Sequence, residues 1–328
     1  MKMGNKVMLV DALQCGSYGR EVFQKLQAGG FGCVTPTLEF WGGAIDGLDA
    51  IGNWLDLARE NSDLMSIAYT TDDIRRSASE GKTAFLLGFQ NSGHFEGRIR
   101  YVELFAKLGV RVTQLTYNIQ NDIGSSCYEP VDTGLSRFGK EVVQEMNRWG
   151  ILIDCSHVGE RTTLDAIETS AKPIAITHAN AASLMPHLRN KTDEVLKALA
   201  ARGGVVGCAT YRNITPDYAC ATVDGFAEMI ARTVDIVGID HVGLGTDASH
   251  HVGQKELDWM RYGRWTRSPQ FGAGSATNAG PSAKPEWLPD VFHLADVPDA
   301  LARLGFAEAE VAKLTSENWL RVFAANFG

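Results

Sequence analysis

Several features that mark other classes of protein are missing from this sequence of 328 residues. No apolar run approaches the ~20 residues that a membrane-spanning helix needs. The N-terminal segment MKMGNKVMLVDALQ has too short an apolar stretch for a secretory signal, and it lacks the small-residue cleavage site of one. These absences predict a cytoplasmic protein without a membrane partner.

Clusters of basic residues are missing as well. The chain has 31 basic and 39 acidic residues, which gives a net charge of −8. Binding to nucleic acid requires a patch of Lys and Arg as an electrostatic footprint. We therefore expect no nucleic-acid partner, and the net charge favours solubility.

The sequence also lacks paired cysteine motifs. Its six cysteines are scattered and form no CxxC: Cys15, Cys33, Cys127, Cys155, Cys208 and Cys220. This pattern is typical of free, buried thiols in a reducing compartment. A chain of this length, 45% hydrophobic, can bury a large core without disulfides.

Short, nearly continuous apolar runs alternate with longer helical periods along the chain. The predicted strands are residues 6–11, 33–37, 83–89, 110–115, 151–153, 173–177, 205–210 and 242–245. The predicted helices are residues 51–61, 71–80, 101–108, 139–149, 161–169, 192–201, 223–237, 297–304 and 307–323. Continuous apolar strands are typical of parallel sheets covered on both faces. Eight such units in order predict an α/β fold, a closed (β/α)8 TIM barrel forming a single domain over residues 1–328.

One segment breaks this alternation. Residues 249–290 follow the last predicted strand and are rich in Gly, Pro, Ser and aromatic residues. A loop this long is uncommon in a compact domain and often functional. We interpret it either as a lid over an active site or as a surface insertion that serves an oligomer contact.

Polar residues end three of the predicted strands, where barrel enzymes place their active sites. His157 follows the fifth strand, His178 follows the sixth, and Asp247 follows the eighth. Two imidazoles and a carboxylate can hold a divalent metal and supply a general base. Arg189 follows the sixth strand after a short loop, and it either grips a substrate carboxylate or forms a surface salt bridge.

Long motifs, in order over most of the chain and weakest in its N-terminal third and in residues 249–290, resemble the membrane (renal) dipeptidase family. They are FGKEVVQEMNRWGILIDCSHVGERTTLDAIETSAKPIAITHANAASL, HLRNKTDEVLKALAARGGVVG, VGIDHVGLGTD and ENWLRVF. The resemblance implies a zinc-dependent barrel that hydrolyses dipeptides. It implies that His157 and His178 are metal ligands, that Asp247 lies beside the metal, and that Arg189 holds the substrate carboxylate. It also implies that Tyr211 lines the substrate pocket.

The resemblance breaks down at positions where the family binds its two metals. The family motif Asp-Gly-His-Asn-Asp is replaced by DALQC, which puts Leu13 at the histidine ligand and Cys15 at the aspartate ligand. Gln90 stands where the family has a bridging Glu, and Tyr117 stands where many members have a substrate-contacting His. Two zinc ions at bridging distance need anionic ligands between them. We therefore expect one zinc ion or none, with Cys15 and Gln90 as candidate additional ligands.

Three hypotheses for function follow. The first is a metal-dependent hydrolase of a small amide or dipeptide-like carboxylated substrate, with weak ordinary dipeptidase activity. The second is a catalytically silent barrel that binds a ligand or joins a homo- or hetero-oligomer. The third is a metal-free enzyme with Cys15 as nucleophile, activated by a spatial neighbour such as His157.

Overall fold

The computed structural model describes residues 7–268 and 281–328 and shows a closed (β/α)8 barrel. Its strands are β1 Leu9–Gly16, β2 Phe31–Pro36, β3 Met65–Ile67, β4 Thr83–Phe85, β5 Gly88–Phe89, β6 Val112–Gln114, β7 Leu152–Asp154, β8 Ala175–Ile176, β9 Val205–Cys208, β10 Val242–Leu244 and β11 Ala248–His250. All of the described strand pairs are parallel. The predicted fold class is confirmed.

The barrel closes in chain order. β1 pairs with β2 on one side and with β10 on the other, and β5 through β10 pair successively. A bridge between Thr37 and Gly88 joins the β2 edge to β5 and completes the ring. Because parallel strands in a closed barrel end at the same rim, their C-terminal residues converge there.

Helices cover the outside of the ring. They are α1 Arg20–Gly29, α2 Ala44–Glu60, α3 Thr71–Ser79, α4 Ile99–Lys107, α5 Arg137–Trp149, α6 Glu160–Thr169, α7 Asp193–Ala201, α8 Asp217–Ala221, α9 Val223–Val237, α10 Gln254–Tyr262, α11 Val297–Arg303, α12 Glu308–Ala312 and α13 Asn318–Phe327. In the described part of the chain, none of these helices has the length and apolarity to cross a membrane.

The structure corrects several predicted boundaries. The first strand runs over Leu9–Gly16 rather than residues 6–11, of which residue 6 lies outside the described ranges. The predicted strand 83–89 is split into β4 and β5, since β4 pairs with β2 and β3 while β5 pairs with β6. Neither β3 nor α1 was predicted. β3 is only three residues long, and α1 follows a glycine that offers no side-chain cap.

The core has an inner and an outer layer. Inward-facing residues of the strands meet the C-terminal helix. This helix closes the barrel at the end opposite the C-terminal ends of the strands. Trp319 is fully buried there, and its indole N–H donates to the carbonyl of Leu244 at 2.9 Å. A Cβ on Gly243 would lie 2.3 Å from the Trp319 indole nitrogen, so glycine at this position makes room for the ring. The outer layer packs the strands against the surrounding helices.

The segment after β10 is more ordered than a plain loop. It contains β11, which pairs with β1 beyond the barrel ring, and helix α10. The predicted lid or insertion at residues 249–290 includes residues 269–280, which lie outside the described ranges. Its function as a lid, and the single-domain boundary at 1–328, stay predictions.

Candidate active site

A cavity of about 460 Å³ opens at the rim where the strands end. This volume lies within the range of small-molecule sites. Its lining includes seven of the eight residues that the sequence selected: Cys15, Gln90, Tyr117, His157, Arg189, Tyr211 and Asp247. The eighth, His178, is fully buried behind His157.

The two histidines face each other at hydrogen-bond distance. The Nε2 atoms of His157 and His178 are 3.2 Å apart. On the far side of each ring, Nδ1 of His157 lies 2.6 Å from Oδ1 of Asn118, and Nδ1 of His178 lies 2.7 Å from Oγ1 of Thr177. Asn118 and Thr177 therefore fix both rings, although no sequence motif pointed to Asn118.

These partners place the ring protons on Nδ1. The Oδ1 atom of Asn118 is an acceptor, so His157 donates to it. The hydroxyl of Thr177 donates to Oδ2 of Asp154 at 2.8 Å, which leaves its oxygen to accept from His178. Each Nε2 then carries a lone pair, and the two lone pairs face each other. Only a cation or a proton between them relieves their repulsion.

A metal ion fits between the histidines better than a proton does. Burial and the nearby Arg189 guanidinium lower the pKa of both histidines well below their ordinary value, which disfavours an imidazolium. Two nitrogens bound at zinc distance with tetrahedral geometry are about 3.3 Å apart, close to the observed separation. The pair therefore suits one divalent ion.

The described residues offer few further ligands to a metal ion at this histidine pair. Within residues 7–268 and 281–328, no group of three or more His, Cys, Asp and Glu residues is arranged to hold a metal. Leu13 is buried and has no donor atom, and the amide of Gln90 donates to the Thr37 hydroxyl at 2.8 Å. A metal at the histidine pair would therefore complete its shell largely with water or substrate.

Two buried carboxylates accept hydrogen bonds that hold neighbouring strand ends together at the rim. Asp154 accepts from the backbone and hydroxyl of Ser156 and from Thr177, which ties the end of β7 to the residues after β8. Asp11 ties β1 to the residues after β10 in the same way, because the Thr246 hydroxyl donates to the Asp11 carboxylate at 2.6 Å. Neither was selected from the sequence, because an aspartate inside an apolar run gives no sign of its partners.

Asp247 lies at the cavity wall in a left-handed backbone conformation, with φ of 57°. Its N–H donates to the carbonyl of Leu13 at 3.1 Å, which fixes the turn after β10. Burial is the main factor that raises the pKa of Asp247 to about 7, Arg189 opposes the shift, and Asp11 adds to it. A carboxyl group with this pKa exchanges its proton near neutrality, as a general base must.

Arg189 is 3% exposed and lines the cavity. Its two Nη atoms donate to the backbone carbonyls of Ser156 and His178, the latter at 2.7 Å. These bonds hold the strand ends that carry the histidines. They use two of the five guanidinium N–H groups, and no carboxylate in the described ranges forms an ion pair with Arg189.

The remaining selected residues form the cavity walls. Tyr117 packs against the His157 ring at 4.4 Å between centroids, and the Phe40 ring lies 4.9 Å from the Tyr117 ring. Tyr211 accepts a hydrogen bond from Asn213 at 2.7 Å. Burial and the neighbouring Asp247 raise the pKa of the Cys15 thiol well above its ordinary value. A thiol held in this protonated form is a poor nucleophile.

Residues 39–260 of the chain match the sequence model of the family described as membrane dipeptidase, peptidase family M19. This match covers more than half of the chain. The chain belongs to the membrane dipeptidase family. It is a family of metallopeptidases, and the family resemblance predicted from the sequence is confirmed.

Curated relatives in the membrane dipeptidase family include fungal proteins. The chain is 34% identical over 204 residues, 60% of its length, to a dipeptidase of Claviceps purpurea named tcpJ. It is 34% identical over 197 residues, 58% of its length, to an uncharacterized dipeptidase of Schizosaccharomyces pombe. The matched part spans about half the length of these relatives, 48% and 47%.

Solved structures match this membrane dipeptidase family member over nearly its full length. An amidohydrolase from Pseudomonas aeruginosa is 37% identical, with a TM-score of 0.92 and coverage of 98% of this chain and 97% of that chain. A metallopeptidase described as dipeptidase AC gives a TM-score of 0.80 at 19% identity, covering 99% and 100% of the two chains. At that identity the second match supports the fold alone.

Proposed function

We propose that this protein is a metal-dependent hydrolase of a small amide or dipeptide-like substrate that carries a carboxylate. The observation that carries the proposal is the facing pair of Nε2 atoms on His157 and His178, 3.2 Å apart, at the cavity that Asp247 also lines. The names of the fungal relatives, which are dipeptidases, agree with this reaction class.

The proposal assigns one metal at most. His157 and His178 would hold it, with Cys15 and Gln90 as further candidate donors at the cavity wall. A divalent ion there supplies Lewis acidity and lowers the pKa of its bound water toward neutrality. Because Leu13 and Gln90 offer no anionic donor, we expect no second ion and weak ordinary dipeptidase activity.

The chain's own residues would bind and orient the substrate. Asp247, with its pKa of about 7, would take the proton of the attacking water. Arg189 would place its remaining N–H groups on the substrate carboxylate, since a buried carboxylate needs a charged partner. Tyr117 and Tyr211, which both line the cavity, would contact the rest of the substrate.

The test combines elemental analysis with activity. Purified protein, loaded with zinc and then dialysed, should retain about one zinc per chain. It should hydrolyse the peptide bonds of a panel of dipeptides slowly. His178→Ala should lose both the zinc and the activity. His241→Ala is the matched control, because His241 lies at the opposite end of the barrel, where its Nδ1 donates to the Gly204 carbonyl at 2.8 Å.

Two outcomes would contradict the proposal. Two tightly held ions per chain would overturn the assignment of a single metal. No zinc retention and no hydrolysis with any panel member would favour the silent barrel, for which the altered ligand positions are the supporting observation. The cytoplasmic location and the homo- or hetero-oligomer expected from the sequence stay predictions.

A further inference from the structure

The charge on the cavity wall is opposite in sign to that of the whole protein. The chain carries a net charge of −8. Among the described residues, the cavity is lined by five basic side chains and two carboxylates: Lys25, Arg189, Arg212, Arg261 and Lys284, with Asp247 and Asp290. A concave surface of one sign concentrates ligands of the other sign. The cavity is therefore suited to anions in spite of the acidic protein around it.

Pairing within the wall leaves part of this positive charge uncompensated. Asp290 is already in an ion pair with Lys25 at 2.7 Å, and Lys25 also pairs with Glu21. Asp247 is the one remaining carboxylate of the described lining. Arg212 therefore has at most one carboxylate of the described lining, Asp247, to face it.

Arg212 is another cation of this wall. It lies in the turn after β9, directly after Tyr211, and is partly buried. In the described ranges its guanidinium forms no hydrogen bond and no ion pair, although it lines the cavity. Arg189, in contrast, is anchored to two backbone carbonyls. The Arg212 guanidinium can thus give all of its N–H groups to a ligand.

The wall around Arg212 is held in place by neighbouring polar groups. The Asn213 amide donates to the Tyr211 hydroxyl at 2.7 Å and to Ser282 at 3.3 Å. Ser282 also donates to the Tyr211 hydroxyl at 3.3 Å, which joins the turn after β9 to the segment that begins at residue 281. The Arg212 side chain therefore extends from a fixed turn.

We infer that the substrate carries a second anionic group, bound by Arg212, in addition to the carboxylate assigned to Arg189. The inference rests on the proposed function and names its substrate class: an amide with two anionic groups, such as a dipeptide with an acidic residue. A carboxylate fits best, because one guanidinium matches both its single charge and its two oxygens. A phosphate would bring a second negative charge that Arg212 alone does not neutralise.

The first experiment compares matched substrates. Hydrolysis is measured for glutamyl-alanine, glutaminyl-alanine and phosphoseryl-alanine, each with L- and D-alanine. We expect kcat/KM for the glutamyl compound to exceed that for its glutaminyl analogue about tenfold or more, the scale of one charged hydrogen bond. Arg212→Gln should bring this ratio to about one. A phosphoseryl compound that outperforms both would overturn the carboxylate assignment.

A control variant separates local from general electrostatics. Arg100 is exposed, lies on α4 outside the cavity lining and has no partner in the described ranges. Arg100→Gln removes the same charge from the protein, and we expect it to leave the glutamyl preference intact. A preference lost equally in both variants would contradict a site at Arg212.

A binding experiment keeps this inference distinct from the proposed function. Calorimetric titration with N-acetyl-glutamate and N-acetyl-glutamine needs no turnover. Tighter binding of the dianion, lost in Arg212→Gln, would support the inference even if no dipeptide were cleaved. Hydrolysis of glutamyl- and glutaminyl-alanine at equal rates, with equal affinities for the two probes, would overturn the inference while the proposed function stands.

Discussion

At the scale of single residues, the backbone conformation of Asp247 positions the carboxyl group that we propose as the general base. Its φ of 57° is rare for a residue other than glycine, although aspartate tolerates this region better than most. The bond from its N–H to Leu13 and the anchoring of Thr246 by Asp11 hold the turn. The carboxyl group is thereby fixed at the cavity wall, where burial raises its pKa to about 7.

Asp247→Asn should abolish the general base and lower kcat by about 10²- to 10⁴-fold. In the wild type, the rate should rise as pH increases through about 7, because Asp247 then loses its proton. The pH–rate profile checks this expectation. Asp49→Asn, an exposed change on α2, is the control, and an unchanged profile in Asp247→Asn would exclude the assignment.

The same pKa shift predicts a pH dependence of stability. An aspartate in an unfolded chain titrates near 3.9. Between about pH 4 and 7 the folded protein therefore keeps a proton that the unfolded chain has released. The free energy of unfolding should fall as pH rises through this window, and urea denaturation of Asp247→Asn should show a smaller fall.

A substitution at Gln90 tests whether this neutral amide limits the affinity of the histidine pair for a metal ion. Gln114 donates to the Gln90 carbonyl at 2.5 Å and accepts from the His157 N–H at 3.2 Å, so the two positions are closely linked. Gln90→Glu puts a carboxylate at the cavity wall, and we expect zinc affinity to rise about tenfold because zinc prefers anionic oxygen. Competition with a chromophoric chelator measures this. Gln24→Glu on the exposed face of α1 should change nothing; no increase in Gln90→Glu would separate the position from the metal.

At the scale of elements, α10 closes one side of the cavity by packing against the turn after β2. Glu39 accepts from the indole of Trp259 at 2.8 Å and from the backbone of Phe40, and the indole of Trp41 donates to the Met260 carbonyl at 3.2 Å. The two indole bonds join segments more than two hundred residues apart. They make α10 part of the cavity wall, together with Leu257, Met260 and Arg261.

Trp259→Phe keeps an aromatic ring but removes the hydrogen bond to Glu39. We expect amide hydrogen exchange in α10 to become about tenfold faster, since a bond to a charged group stabilises by roughly 1.5–3 kcal/mol before the partial exposure is discounted. Mass spectrometry of the exchanged peptides measures the effect. Trp149→Phe removes an equivalent bond, to Glu145 on α5, and should leave α10 unchanged. Equal protection in Trp259→Phe and wild type would show that α10 does not depend on this bond.

At the scale of the whole molecule, the chain's last helix completes the barrel. α13 places Trp319 and Phe323 against the inward faces of the strands, and both rings are buried. A closed ring of eight strands leaves an interior that side chains must fill. The motif ENWLRVF, which carries part of the family resemblance, therefore contributes to stability at the end far from the active site.

Trp319→Ala should lower the free energy of unfolding by about 3–5 kcal/mol, the usual effect of truncating a buried aromatic residue. Chemical denaturation measures it, and Trp319→Phe should lower it less. Leu188→Ala, at a side chain that is 70% exposed, should stay within about 0.5 kcal/mol of the wild type. A Trp319→Ala variant as stable as Leu188→Ala would contradict the role of α13 in closing the barrel.

The amino-acid sequence by itself determined the fold class and most of the candidate site. Apolar runs at regular spacing predicted the barrel, because burial on both faces requires continuous apolar strands. Residues such as His157 and Asp247 were found because each follows a strand directly, and a barrel brings all strand ends to one rim. The family motifs then gave Arg189 and Tyr211 candidate roles.

Only the tertiary structure decided how these residues act on one another. The facing Nε2 atoms depend on Asn118 and Thr177, which fix the rings from different strands. The pKa of Asp247 depends on burial, and the contact between α10 and Glu39 depends on a fold that joins distant segments. Neighbours in space, which are often distant in the chain, set hydrogen-bond direction, burial and charge balance. The sequence alone therefore does not predict these properties.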